Sequence, residues 1–231
     1  MHTAPREELR PGLTARGVAK SCGRTAVLRG LNLTIEAGDK ILLLGANGAG
    51  KSTVLRLLSG LTRPDNGAIE FHSPRRVVGH VGHHLFLYRR LSVIENLNLT
   101  AQLARCGSVE VDAMVERWRL GNAAERPVGE LSRGQQFRVS LARAFLPAPN
   151  FMFLDEPTSA LDDLSVETLK ELIDERLKAG DGGAAVIATH DTARLRSWVN
   201  RVVVLSEGVV GRDSRGSSID DALEFYREVN R

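Results

Sequence analysis

Residues 41–61 read ILLLGANGAGKSTVLRLLSGL. A run of four apolar residues, a glycine-rich turn and a helical pattern with Val54, Leu55, Leu57, Leu58 and Leu61 follow one another without a gap. The apolar run reads as a buried strand. Residues 45–52, GANGAGKS, fit G-x-x-x-x-G-K-[ST] in the strand-to-helix setting that gives this pattern its meaning. Glycines let the backbone wrap a chain of phosphates with its N–H groups pointing inward. The start of the following helix adds a partial positive charge at the same place. Lys51 is then expected to reach the β- and γ-phosphates, and the Ser52 hydroxyl to ligate Mg²⁺. The competing reading, a glycine-rich turn with a stray lysine, leaves the flanking strand and helix unexplained.

Around this feature the chain alternates strands and helices. Pro64, Asp65, Asn66 and Gly67 make a turn before a short strand at 68–71, and 77–81 has the pattern of another. From 92 to 130 the pattern becomes helical. Ser92 with Glu95 matches a capping box ahead of Leu97, Leu99 and Leu103, and a second helix follows at 109–118. A third helix, 134–146, carries Val139, Leu141, Ala142 and Phe145 on one side. Then come a strand at 151–154, a helix at 164–178, a strand at 185–188, a short helix and a strand at 202–205. Gly208 punctuates a final hairpin, and Ser218 caps a last helix ending near Val229. Such alternation predicts an α/β fold with a mainly parallel sheet covered by helices.

Composition narrows the partners. The chain has 231 residues, 42% hydrophobic and 26% charged, with a net charge of only +3. No dense basic run with interleaved aromatics occurs, so no nucleic-acid partner is expected. Cys22 and Cys106 fit no metal or redox spacing. The opening MHTAPREELRPG lacks an apolar core, which argues against a signal peptide. No run of about eighteen apolar residues occurs, so work at a membrane would need a partner. Three of the six histidines, His80, His83 and His84, crowd into VGHVGHHLFLY. Strand alternation would send His80 and His83 to opposite faces, which favours packing or surface roles over a three-histidine metal site.

Three further segments can carry chemistry. FMFLDEP, residues 151–157, is an apolar strand ending in two adjacent acids. Asp155 is placed to reach a metal, and Glu156 to polarise a water for attack on the γ-phosphate. Alone, the two acids could equally begin a solvated loop. LSRGQQ, residues 131–136, precedes a helix for which Ser132 is a good N-cap; it reads as a second phosphate-binding helix start or as an ordinary capped helix. Thr189 and His190 follow an apolar strand, at the edge where parallel sheets bind ligands.

The ordered set GANGAGKST, LSRGQ, FMFLDEP, SALD (159–162) and TH resembles the ATP-binding subunits of ABC transporters over nearly the whole chain. The resemblance implies a P-loop NTPase core with an N-terminal antiparallel β portion and a small α-helical insertion at about 85–135, all in one domain over 1–231. It implies ATP and Mg²⁺ as cofactors. It also implies two subunits packed head to tail around two ATP molecules, and hydrolysis that drives a transmembrane permease from the cytoplasmic face of the cell membrane. By position, Gly45, Ala46, Asn47, Gly48, Ala49, Gly50, Lys51, Ser52 and Thr53 would hold the nucleotide. Ser52 and Asp155 would serve Mg²⁺, Glu156 would be the general base, and His190 would sense the γ-phosphate. Ser132, Arg133, Gly134 and Gln135 would act on the opposite subunit's ATP, with Asp162 in the segment that joins the two sites.

Three positions depart from the family pattern. Arg133 replaces the first glycine of LSGGQ. KSCG stands where members often have KRYG, which puts Cys22 at the base-contacting position; its sulfur can pack against a ring but cannot stack. His84 stands where the family has a glutamine, beside Mg²⁺ and the attacking water, as metal contact and catalytic residue. Within the family, GHVGHHLFLYRRLSVIENL looks most like the haem exporter of cytochrome c maturation. Drug, lipid or polysaccharide exporters, a soluble non-transport ABC ATPase, and a module that binds ATP without turnover are the alternatives.

Overall fold

The computed structural model describes residues 11–230, so most of the opening segment discussed above lies outside it. Two long strands, β1 (Pro11–Cys22) and β2 (Thr25–Glu36), pair antiparallel. Next come β3 (Lys40–Gly45), α1 (Lys51–Leu58), β4 (Asn66–Phe71) and β5 (Val78–Val81). The helical stretch holds α2 (Val93–Ala104), α3 (Ser108–Arg117) and α4 (Arg133–Phe145). The chain closes with β6 (Phe151–Asp155), α5 (Asp163–Lys178), β7 (Ala184–Ala188), β8 (Arg201–Ser206), β9 (Val209–Asp213) and α6 (Ile219–Glu228).

Two sheets result. The smaller has the order β2-β1-β4 and is antiparallel. The larger runs β5-β6-β7-β3-β8-β9, parallel except at the β9 edge. Its central strands are apolar on both faces, as a sheet covered on both sides requires. In β3, Leu42 and Leu44 face the helices while Ile41 and Leu43 face α1 and the smaller sheet; in β6, Met152 and Leu154 divide from Phe151 and Phe153 in the same way. Trp118, Phe137 and Phe145 anchor the helical stretch to the first of these cores.

Capping signals set the helix starts. At both Ser92 and Ser218 a serine oxygen and the third residue's carboxylate exchange backbone N–H groups. Three expectations need correction. Gly60, with φ +77°, follows the end of α1, so Leu61 leaves the buried stripe and is 46% exposed. Leu103 lies in the last turn of α2 and is 80% exposed. The short helix expected after β7 is a series of turns: Arg196 and Val199 donate to carbonyls four residues back, while Trp198 donates to Leu195 three back.

An ion-pair network ties the two sheets together. Arg201, at the start of β8 and almost wholly buried, donates to Thr34 O at 2.8 Å, Asp39 Oδ2 at 2.8 Å and Asp213 Oδ1 at 2.9 Å. Burial opposes its charge, but Asp213 and Asp39 more than offset that and raise its pKa. The substitution Arg201→Met should therefore strand Asp39 among buried groups and cost about 3–5 kcal/mol. Urea unfolding checks this; a loss under about 1 kcal/mol would mean that Arg215, which also donates to Asp39 at 2.8 Å, holds the carboxylate by itself.

Candidate functional site

The parallel strands β3, β5, β6 and β7 end at one edge of the larger sheet, and a cavity of about 1100 Å³ opens there. The glycine-rich turn between β3 and α1 forms one wall. Gly50 has φ +100°, and a Cβ built on it would lie 2.8 Å from Leu28 Cδ2, so only glycine fits. No side chain caps α1, which leaves its first N–H groups free for an anion; Gly50, Lys51, Ser52 and Thr53 all line the cavity. Lys51 Nζ donates to Gly45 O at 2.7 Å and Ala46 O at 3.1 Å. Burial lowers the pKa of its ammonium, against the raising pull of Glu156 and then Asp155.

The opposite wall carries the acids. Asp155 ends β6 and is 7% exposed. Glu156 follows in the left-handed region, φ +52°, held there by its N–H donating to Ala188 O at 2.7 Å. This strained backbone turns the side chain away from the strand axis. Glu156 Oε2 accepts from Thr189 Oγ1 at 2.9 Å and from the His190 N–H at 3.4 Å. Thr189 is itself 3.1 Å from Thr158 Oγ1. His190 Nε2 lies 3.7 Å from Glu156 Oε1, and its Nδ1 lies 3.2 Å from the Tyr226 hydroxyl of α6. Neither Thr158 nor Tyr226 was marked by the motif reading: Thr158 falls in the gap between FMFLDEP and SALD, and Tyr226 comes from a segment without a local chemical signature.

The histidine cluster divides differently from its sequence reading. β5 ends at Val81, so strand alternation does not extend to His83. The chain turns at Gly82 and carries His83 onto the cavity wall, Nε2 4.0 Å from Asp155 Oδ2. His84 lines the same cavity, but His83 is the imidazole paired with Asp155. His80 is half-buried beneath them; burial holds its pKa below the usual value, against the pull of Asp155.

The LSRGQ segment lies partly outside this space. Arg133 reaches the cavity, whereas Ser132, Gly134, Gln135 and Asp162 line a separate depression of about 220 Å³. Ser132 and Gln135 form a capping box on α4, and Asp162 caps α5 by accepting from Ser165 N at 2.8 Å; hydrogen bonding to the Ser165 side chain, and then to its backbone N–H, lowers the Asp162 pKa. Cys22 is exposed at the end of β1, beside the turn at Gly23, and is not among the residues lining the cavity; Val27 of β2 is.

Chemically, the arrangement pairs a cationic, amide-lined loop with a carboxylate wall. Ser52 and Asp155 offer hard oxygen donors on the same cavity, the donor set that suits Mg²⁺. Asp155 receives no side-chain hydrogen bond among the described residues, so its lone pairs are available.

Comparison with known proteins agrees with this geometry. The sequence pattern of the family described as ABC transporter matches residues 28–159. The sulfate/thiosulfate import ATP-binding protein CysA of Salmonella typhi is 35% identical over 242 aligned residues, covering 93% of this chain. The chain spans 65% of the length of that relative. The protein of the same name from Methylococcus capsulatus is 34% identical, covering 93% of this chain and 68% of its own length. A solved ATP-binding subunit of an ABC transporter superposes with a TM-score of 0.81 at 25% identity, covering 93% of this chain and 99% of its own. A dimeric ATP-binding cassette in a post-hydrolysis state, bound to ADP and phosphate, superposes with a TM-score of 0.77 at 26% identity, covering 87% and 97%.

Proposed function

Because this chain belongs to the ABC transporter family and has the ABC ATPase fold, we propose that it hydrolyses ATP to power a membrane permease. One observation carries the reading: the phosphate loop, Asp155, Glu156 and His190 share a single cavity at the carboxyl ends of parallel strands.

The loop amides and Lys51 bind the β- and γ-phosphates. Ser52 and Asp155 would hold Mg²⁺, which would supply positive charge against the phosphates. Glu156 accepts a proton from a water whose oxygen attacks the γ-phosphorus; the bond to the bridging oxygen breaks, giving ADP and phosphate. The side chains already around Glu156 aim it: Thr189 fixes one carboxylate oxygen while the other remains within reach of His190 and of water.

A second copy completes the site in this reading. Ser132, Gly134 and Gln135 would meet the partner's ATP; that the solved cassette is dimeric supports the pairing of two copies. No helix among the described residues is long and apolar enough to cross a membrane. In this reading a membrane permease of the kind the family powers supplies the path, with this chain bound at its cytoplasmic face. The segment 85–91 is the proposed contact: Phe86 is 53% and Tyr88 62% exposed. A cysteine at Tyr88 should crosslink to a co-produced permease; crosslinks confined to the chain itself would argue that the segment only packs internally.

Two readings of the cargo remain in play. The stretch GHVGHHLFLYRRLSVIENL supports haem export. The CysA relatives are named for sulfate and thiosulfate import, which favours an importer's subunit. Purified protein should release phosphate only with ATP and Mg²⁺ together. Stimulation by a reconstituted permease loaded with sulfate or with haem then separates the two cargoes.

A further inference from the structure

The hydroxyl of Tyr226 lies 3.2 Å from His190 Nδ1, across 36 positions of sequence. The helix that delivers it is firmly seated. Ser218 and Asp221 cap its start, Ala222 and Leu223 are buried, Arg196 pairs with Asp220, and Arg212 lies over the Phe225 ring. The opposite nitrogen of the same imidazole, Nε2, lies 3.7 Å from Glu156 Oε1.

A neutral imidazole carries one proton, on one nitrogen. A carboxylate oxygen only accepts, so the contact with Glu156 favours the proton on Nε2. Nδ1 is then an acceptor, and the phenol must donate to it. Burial, and then Glu156, raise the Tyr226 pKa, which keeps that donor protonated. The phenol O–H then donates to Nδ1, and Nε2–H faces Glu156 Oε1 at 3.7 Å, a charge-to-dipole approach longer than a hydrogen bond.

We propose that Tyr226 is a positioning residue for His190, selecting the Nε2–H tautomer and holding the ring so that this N–H faces Glu156 and the terminal phosphate. The proposal rests on the ATPase reading for its catalytic consequence. It makes the seating of α6 a condition for turnover: a partner that lifted α6 would release the ring without touching the phosphate loop.

The test uses the full chain and Tyr226→Phe, which removes one oxygen and leaves the ring in place. Turnover kcat should fall about three- to tenfold, the loss of one hydrogen bond of ordinary strength, with KM for ATP within about twofold. In ¹⁵N NMR of histidine-labelled protein, assigned with a His190→Gln sample, His190 should show a proton on Nε2 alone in the wild type and a mixture of tautomers in Tyr226→Phe. Unchanged nitrogen shifts, or an unchanged kcat in an active enzyme, overturns the proposal. A wild type that hydrolyses no ATP defeats the ATPase reading instead, and the NMR comparison alone then decides whether Tyr226 sets the tautomer.

Discussion

The substitution Glu156→Gln should leave ATP binding intact and cut turnover by about 10²- to 10⁴-fold, the usual contribution of a general base. The amide keeps the shape of the carboxylate. Its oxygen can still accept from Thr189 Oγ1 and from the His190 N–H, which at present hold Glu156 Oε2 at 2.9 and 3.4 Å. The left-handed backbone at φ +52° is equally available to glutamine, since the strain belongs to the Cβ and not to the acid. What is lost is the capacity to take a proton from water. With binding preserved and hydrolysis blocked, the nucleotide-bound form should accumulate, and in the proposed head-to-tail arrangement that form is a dimer. Light scattering with saturating ATP and Mg²⁺ measures it. A variant that hydrolyses ATP within about threefold of wild type would remove Glu156 from the role of base. A variant that binds ATP fully yet stays monomeric would count against the paired arrangement while leaving the role of Glu156 untouched.

The parts of this site that were legible in the sequence are those set by local spacing. The turn at 45–52, the acids ending an apolar strand and the capping serines are each decided within eight residues, so motif and period suffice. What escaped was decided at longer range or by a single backbone angle. Alternation carried past Val81 assigned His83 a packing or surface role; the strand stops there, a turn at Gly82 redirects the chain, and His83 joins His84 on the cavity wall, 4.0 Å from Asp155. Cys22, placed by its motif beside the base, is exposed and stands apart from the residues that line the cavity. Leu195 and Val199 have helical spacing and are both buried, but the backbone between them mixes bonds to three and four residues back and stays in turns. Tyr226 has no motif at all, and only the packing of α6 brings it to His190.

Lys51→Met should abolish detectable stabilisation by ATP. At 100 times its Kd a ligand stabilises the folded state by about 2.7 kcal/mol, which for a chain of this size raises Tm by roughly 5–11 °C. The wild type should show a rise of that order with ATP and Mg²⁺. Lys51 supplies a cation and donors to the phosphates; hydrogen bonds to charged groups contribute about 1.5–3 kcal/mol each, so losing two weakens binding by at least about a hundredfold. Methionine preserves most of the aliphatic stem, so the packing around α1 survives. It also removes an ammonium whose pKa burial has lowered, which means that the nucleotide-free fold holds this charge at a cost. The two carbonyls that Lys51 now bridges, Gly45 O and Ala46 O, lose a donor, and this opposes the gain. Without nucleotide the variant should therefore melt within a few degrees of wild type, and the difference between the proteins should appear only when ATP is added. An ATP-induced shift of equal size in both would mean that the turn at 45–52 does not bind the phosphates, however well GANGAGKS fits the pattern. A variant that melts far lower without nucleotide would instead assign Lys51 a structural task, closing the loop onto its own carbonyls.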